Sequence, residues 1–282
     1  MRGLTWEHAV RWLRAQPDMQ ALVRDCYYDD PLLAAAERFA ASTEWEAVRR
    51  LLPTRHGRAL DIGAGRGIGS YALARDGWEV TALEPDPSPL VGAEAIRGLA
   101  RDAEMAITVV QQPAETLSFP DRSFELVYAR AVLHHARDLN RLCREVARVL
   151  APGGRCVATR EHVISRAQDL PAFLMAHPLH RLYGGENAYR LAQYTSALRA
   201  AGLRIVHVLG PFDSPINYAP LSADDWRTTC TKPLRFLVGA TIAERLASQQ
   251  HAAGRWLLAR LASLRSHWDD TPGRLYSFVA DR

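Results

Sequence analysis

The chain has 282 residues, 48% hydrophobic and 23% charged, with a formal net charge of +4. That is the composition of a globular protein of one large domain, or of a core with an appended cap, and no apolar run approaches the ~18–20 residues a membrane span needs. The positive balance does not argue for nucleic acid: all but one of the 35 basic residues are arginines, as a coding bias produces, and no basic run is interleaved with aromatics.

The N-terminus, Met1-Arg2-Gly3-Leu4-Thr5-Trp6-Glu7-His8, has no apolar core of a signal peptide. Cys26, Cys143, Cys156 and Cys230 are scattered, with no CxxC pair, so neither a zinc site nor a disulfide framework is indicated. A cytoplasmic protein with reduced thiols is the expectation.

Residues 1–56 read as helices, with Trp6, Val10 and Leu13, then Leu22 and Val23, then Phe39, Trp45 and Val48 at helical spacing. Pro17-Asp18 and Asp29-Asp30-Pro31 punctuate them. This is a helical cap ahead of a domain spanning 57–282. Tyr27 and Tyr28 either pack the cap on the core or help it close over a ligand.

From Arg58 strands alternate with helical segments. Strands are predicted at 58–62, 78–83, 106–110, 124–129 and 154–159. The clearest helix is 138–150, where Leu139, Leu142, Val146, Val149 and Leu150 share a face before Ala151-Pro152-Gly153-Gly154 stops it. Alternation of this kind implies parallel pairing with right-handed crossovers. Beyond 160 the pattern loosens into a loop-rich stretch at 161–188, a helix at 189–201 and a strand at 203–209. A loop at 211–225 follows, then a helical segment at 234–268 with Leu257, Leu261, Leu264 and Trp268 on one stripe, and a last strand at 274–280.

The stretch Ala59-Leu60-Asp61-Ile62-Gly63-Ala64-Gly65-Arg66-Gly67-Ile68-Gly69-Ser70 reads as a strand, a glycine turn and a helix N-terminus. Such a turn brings a ligand against backbone N–H groups and the positive end of a helix dipole. It is not the dinucleotide fingerprint G-x-G-x-x-G/A, since the sixth position is Ile68 or Ser70 depending on the first glycine. Asp61 beside the turn suits a ligand carrying an ammonium group better than a pyrophosphate. Glu84 ends the second strand 23 residues after Asp61, where an acid accepts hydrogen bonds from ribose hydroxyls.

Further motifs follow in order: Ala114-Glu115-Thr116-Leu117-Ser118-Phe119-Pro120-Asp121-Arg122-Ser123-Phe124-Glu125-Leu126-Val127, then Ala131-Val132-Leu133-His134-His135, then Arg148-Val149-Leu150-Ala151-Pro152-Gly153-Gly154. Over about residues 58–160, in order and spacing, the chain resembles class I S-adenosylmethionine-dependent methyltransferases, especially the small-molecule branch typified by ubiquinone and menaquinone biosynthesis. The resemblance implies a doubly wound, Rossmann-like α/β fold with a seven-stranded sheet and a reversed last strand, 203–209 and 274–280 forming the final pair. It implies S-adenosylmethionine as cofactor, with Asp61, Gly63 and Gly65 at the methionine part, Glu84 at the ribose, and Ala114 and Glu115 by the adenine. Pro113 stands where the family commonly has an Asp, which leaves adenine to the Ala114 N–H, Glu115 or Gln112. Arg130, at the same edge, is a further candidate cofactor contact, or pairs with a nearby acid.

Methyl transfer from a sulfonium is an in-line displacement, and an oxygen acceptor benefits from a base near neutral pKa. His135 and His162, following the fourth and fifth strands, are the candidate catalytic residues; packing is the alternative for the histidines after the fourth strand. The polar and aromatic groups of 161–189 (His162, His177, His180, Tyr183, Glu186, Asn187, Tyr189) read as an acceptor-pocket wall or lid, or else as a solvated loop. Residues 211–270 are a further insertion. Glu161, His162, His177 and His180 show no recognised metal-ligand spacing, so no metal is predicted. No Asp/Asn-Pro-Pro-Tyr/Phe or Pro-Cys motif is present, against the usual adenine, glutamine and cytosine C5 methylation.

The expected function is transfer of the methyl group to a small-molecule acceptor, with oxygen favoured. The rivals are an RNA methyltransferase, an NAD-dependent oxidoreductase on the same sheet, and a protein that binds the cofactor without methylating. Acceptor identity and oligomeric state are not legible.

Overall fold

Short, largely buried runs of β-branched and apolar residues build one sheet at the centre of the molecule. Its strands are β1 (Arg58–Ile62), β2 (Glu79–Leu83), β3 (Ile107–Val110), β4 (Phe124–Arg130), β5 (Leu150–Ile164), β6 (Tyr189–Arg190), β7 (Arg204–Leu209) and β8 (Arg274–Asp281). The structure is a computed structural model that describes residues 4–248 and 250–282; residues 1–3, where the stretch read for a leader begins, lie outside the described residues.

The strand order is β3-β2-β1-β4-β5-β8-β7, with β6 added alongside β5. β1 to β6 pair in parallel, whereas β8 runs antiparallel to both β5 and β7. From β1 the chain winds outward through β2 to β3, then returns to β4 on β1's other side. The carboxyl ends of β1 and β4 therefore flank the topological switch point, where α/β sheets bind ligands.

Both faces of the sheet are covered, as parallel strands require. On one face helix Leu139–Val149 packs with helix Leu191–Ala200 against Leu60, Val127 and Phe278. Asp138 caps the first of these by accepting the Arg141 N–H at 2.9 Å. On the other face helices Leu32–Ala40 and Thr43–Arg49 join helix Ile68–Arg75 over Ala59, Val80 and Tyr128. Ser42 caps the second helix, and its fully buried Trp45 donates its indole N–H to Asp76 at 2.9 Å.

β5 continues to Ile164, past the predicted end at 159. It does so by kinking: its pairing with β8 shifts between Ala158 and Glu161, where Arg160 has φ +59°. The extension gives Tyr189–Arg190 a place to pair and adds the eighth strand. The rest of 161–188 is not the loop-rich stretch expected. It folds into helices Leu170–Ala176 and Pro178–Leu182, which bury Phe173 and Leu179.

The C-terminal helical segment starts earlier than predicted, with helices Ala223–Val238, Ala240–Leu246 and Ala252–Trp268. In the last of these the predicted stripe is not the buried one. The helix seats its small-residue face (Gly254, Leu258, Ala262, Ser266) on Cys230 and Ala247, and Leu264 and Trp268 stay exposed. At Gly254 a Cβ would sit 2.0 Å from the Ser248 carbonyl oxygen, so close approach selects the smaller residues. No helix among the described residues is long and apolar enough to cross a membrane.

Candidate active site

The glycine turn after β1 needs residues without a Cβ, because Gly63, Gly65 and Gly67 have φ of +60°, +56° and +86°. A Cβ on Gly63 would meet the Val132 methyls at 2.8 Å, so the end of β4 closes one side of the turn. Around Gly65 nothing lies within 4 Å, leaving open space over the backbone.

Two carboxylates flank this space. Asp61 is 2% exposed and accepts the Ser70 hydroxyl at 2.6 Å. Glu84 is 8% exposed and accepts the N–H of Gly65 at 2.8 Å and of Asp86 at 3.0 Å. Burial pushes each up to about 7, Asp61 also feeling the charge of Glu84. Neither forms an ion pair among the described residues. Two buried acids beside open glycine backbone suit a ligand with an ammonium group and hydroxyls, and repel a pyrophosphate.

Ala114 and Glu115 follow β3. Ala114 is half-buried against the core, and Glu115 accepts the Arg137 N–H at 3.1 Å. Gln112 accepts the Ser118 hydroxyl at 2.7 Å, which leaves its amide nitrogen buried without a partner. Arg130 is engaged by a nearby acid. Its guanidinium makes a two-pronged pair with Glu44, at 2.7 and 3.1 Å, beneath the Phe39 and Tyr27 rings. The acid comes from helix Thr43–Arg49, so Arg130 anchors the N-terminal helices.

The turn anchors them as well. Arg66 donates to the carbonyls of Tyr27 and Asp29 at 2.8 and 3.1 Å and to the Asp30 carboxylate at 2.7 Å. Farther along, helix Trp6–Arg14 packs on Leu179, Leu182 and Val91, with Trp6 edge-on to Tyr183. The N-terminal helices and the segment 170–183 thus meet as a roof beside the turn.

Beyond Val132 the site is built on histidines. Glu161, fully buried at the kink of β5, accepts the N–H groups of Val132, Leu133 and His134 at 3.0–3.1 Å and so caps the single helical turn Leu133–His135. Its carboxylate also accepts His134 Nδ1 at 2.8 Å. His134 Nε2 faces Glu186 Oε1 at 3.3 Å. Burial disfavours the imidazolium, but the two acids outweigh it and raise His134 to about 9. Burial likewise works against ionised Glu186, yet His134, with His135 and His180, holds it at about 2.

The remaining rings are neutral. His162 is fixed through Nδ1 to the Gly273 carbonyl at 2.9 Å, and burial with the nearby His134 charge pushes it well below its ordinary pKa. Burial holds His180 at about 4. His135 stands at the exposed rim, lowered by desolvation and by His134.

Structure thus brings the two candidate catalytic histidines near each other through His134, whose ring centroid is 4.2 Å from that of His135 and 4.7 Å from that of His162. The residues missed as partners are Glu161 and Glu186. Both were noticed as polar residues near the edge, but their sequence spacing carries no signal. The four-residue metal set weighed from the sequence does not assemble. Glu161 is taken by N–H groups, and the His177 ring accepts the Leu179 N–H at 3.2 Å as a helix cap.

A family profile described as a methyltransferase domain matches residues 60–158. The chain is 32% identical over 196 residues to a ubiquinone biosynthesis O-methyltransferase of Azorhizobium caulinodans, covering 68% of this chain and 74% of that one. It is 33% identical over 131 residues to the 27-O-demethylrifamycin SV methyltransferase of Amycolatopsis mediterranei, covering 46% of this chain and 47% of its relative. In fold it is similar to geranyl diphosphate C-methyltransferase from Streptomyces coelicolor. The TM-score there is 0.58 at 14% identity, over 96% of this chain and 88% of that one.

Proposed function

The chain belongs to the class I S-adenosylmethionine-dependent methyltransferases, and from that premise we propose that it methylates an oxygen of a small molecule, with the cofactor held at the glycine turn. The observation that carries the cofactor's placement is the pair of buried, unpaired carboxylates, Asp61 and Glu84, beside the open backbone of Gly65. S-adenosylmethionine, when bound, supplies a methyl group on a sulfonium for in-line displacement.

This chain's residues do the rest. Asp61 balances the ammonium group. Glu84 accepts hydrogen bonds from the ribose hydroxyls, and Gly63 and Gly65 let backbone approach the methionine part. Ala114, Glu115 and the unpartnered amide of Gln112 line the adenine side, where Pro113 offers neither carboxylate nor N–H.

An oxygen acceptor is supported by the names of the two sequence relatives and by the neutral imidazoles at the carboxyl edge of β4 and β5. His135, at the rim, takes the acceptor's proton, and His162 completes the wall behind it. RNA is disfavoured because many arginines are committed to acids: Arg38 to Asp29, Arg130 to Glu44, Arg148 to Glu145 and Arg155 to Asp281.

The test is incubation with methyl-labelled S-adenosylmethionine and a panel of phenols, hydroxylated polyketides and RNA. Label is expected in an ether product of a small molecule, and label only in RNA would overturn the reading. His135→Ala is expected to lower kcat by roughly 100-fold or more, the usual worth of a positioned acid–base group, and His162→Ala, in the wall behind it, to lower kcat by less, both leaving S-adenosylhomocysteine affinity nearly unchanged. Full activity in both variants would remove the histidines from the chemistry.

A further inference from the structure

His134, His162 and Glu186 come from three separate stretches of chain, the turn after β4, the end of β5 and the segment before β6. Each offers a ligand-type atom, and these atoms lie within 4.8 Å of one another. We propose that they form a binding site for one divalent first-row transition-metal ion such as zinc, with two imidazole nitrogens and one carboxylate as ligands.

Two observations beyond proximity support this. The first is that both imidazoles are oriented in the way metal-binding histidines are. His134 holds Glu161 through Nδ1 at 2.8 Å, and His162 holds the Gly273 carbonyl through Nδ1 at 2.9 Å. A carboxylate or carbonyl on one ring nitrogen fixes the tautomer and leaves Nε2 as the ligand. The second is an unsatisfied acid. Glu186 has a side chain only 2% exposed, and its Oε1 is buried with no hydrogen-bond partner. His134 Nε2 lies 3.3 Å from that oxygen. A metal ion at the centre of the three would take the place of the His134 Nε2 proton as the cation beside that oxygen, so binding would release a proton.

The donor set selects the class of ion. Two imidazoles and a carboxylate suit zinc, iron, cobalt or nickel, whereas magnesium and calcium prefer oxygen alone. Three protein ligands leave positions open, as catalytic rather than structural sites do. His180, with Nε2 3.8 Å from Glu186 Oε2, borders one of them.

A use for the ion rests on the O-methyltransferase reading above. An acceptor hydroxyl at an open position would bind through oxygen and lose its proton more readily, as metal-bound water does. The proton passes to His135, the oxygen forms the new C–O bond, and the methyl–sulfur bond breaks to leave a neutral thioether. Occupancy of the site does not depend on that use.

The experiment is equilibrium dialysis of the chelator-stripped full chain against Zn2+, Co2+ and Mg2+, with metal counted by mass spectrometry. One equivalent of Zn2+ or Co2+ and no stoichiometric Mg2+ is expected. Glu186→Gln and His162→Ala should each weaken Zn2+ binding by more than the roughly 10–100-fold that even an outer-shell change costs. His177→Ala, outside the three ligands, should bind as the wild type does. X-ray absorption at the zinc edge of the wild-type chain, which needs no variant to fold, should show two imidazole ligands and no sulfur. Absence of stoichiometric Zn2+ and Co2+, sulfur ligation, or unchanged binding in folded Glu186→Gln and His162→Ala would overturn the proposal. Methyl transfer is not read in this experiment, so an inactive protein that binds zinc refutes only the O-methyltransferase reading.

Discussion

Asp61 and Glu84 are carboxyls held near about 7 by burial, well above the usual carboxylate range. With folded pKa values above the unfolded ones, each contributes stability that is present below the unfolded value and lost as pH rises through about 7. A ligand ammonium reverses the preference, because it favours the ionised acid. Below pH 7 the cofactor must therefore expel protons to bind. S-adenosylhomocysteine affinity is expected to fall about tenfold per acid between pH 8 and pH 6. Calorimetry in two buffers of different ionisation enthalpy would show proton release at pH 6 and little at pH 8; a flat affinity across that range would contradict the assignment. These two acids were legible in the sequence because strand, turn and the next strand's end recur at fixed offsets. His134, with Glu161 and Glu186, was not. Its partners arrive through the kink at Arg160 and through a segment some fifty residues away, and no local period records either.

At the scale of elements, the N-terminal helices are held to the sheet by few but specific bonds. Glu44 is 2% exposed and answers Arg130 with both oxygens, with Arg160 at 3.8 Å. Burial alone would raise its carboxyl, but the two arginines hold it below the ordinary range. Removing one partner of a buried pair strands the other charge, so Glu44→Ala is expected to cost about 3–5 kcal/mol in urea unfolding. A loss below about 1 kcal/mol would show that apolar packing alone seats these helices. Elements with one clean apolar stripe, such as Leu139–Val149, were read nearly to the residue. Helix Ala252–Trp268 was misread because large residues marked one stripe while close packing chose the face with Gly254 and Ala262. The 161–188 segment was misread for a related reason. Its two helices are only seven and five residues long, too short for a period, and they form because Phe173 and Leu179 find a core.

Across the whole molecule, strand order places the ends of β1 and β4 side by side, and with them the glycine turn and the histidine wall. The N-terminal helices are tied to the turn by Arg66 and to β4 by Arg130. One sheet edge thus gathers the two buried acids and the imidazoles to which the proposed function assigns cofactor and acceptor. The central claim is that the turn binds S-adenosylmethionine and not a dinucleotide. The most direct measurement is equilibrium dialysis of the wild-type chain against labelled S-adenosylmethionine and, separately, labelled NAD. Saturable one-to-one binding of S-adenosylmethionine, displaced by S-adenosylhomocysteine and absent for NAD, is the expected result. Saturable binding of NAD with none of S-adenosylmethionine would contradict it.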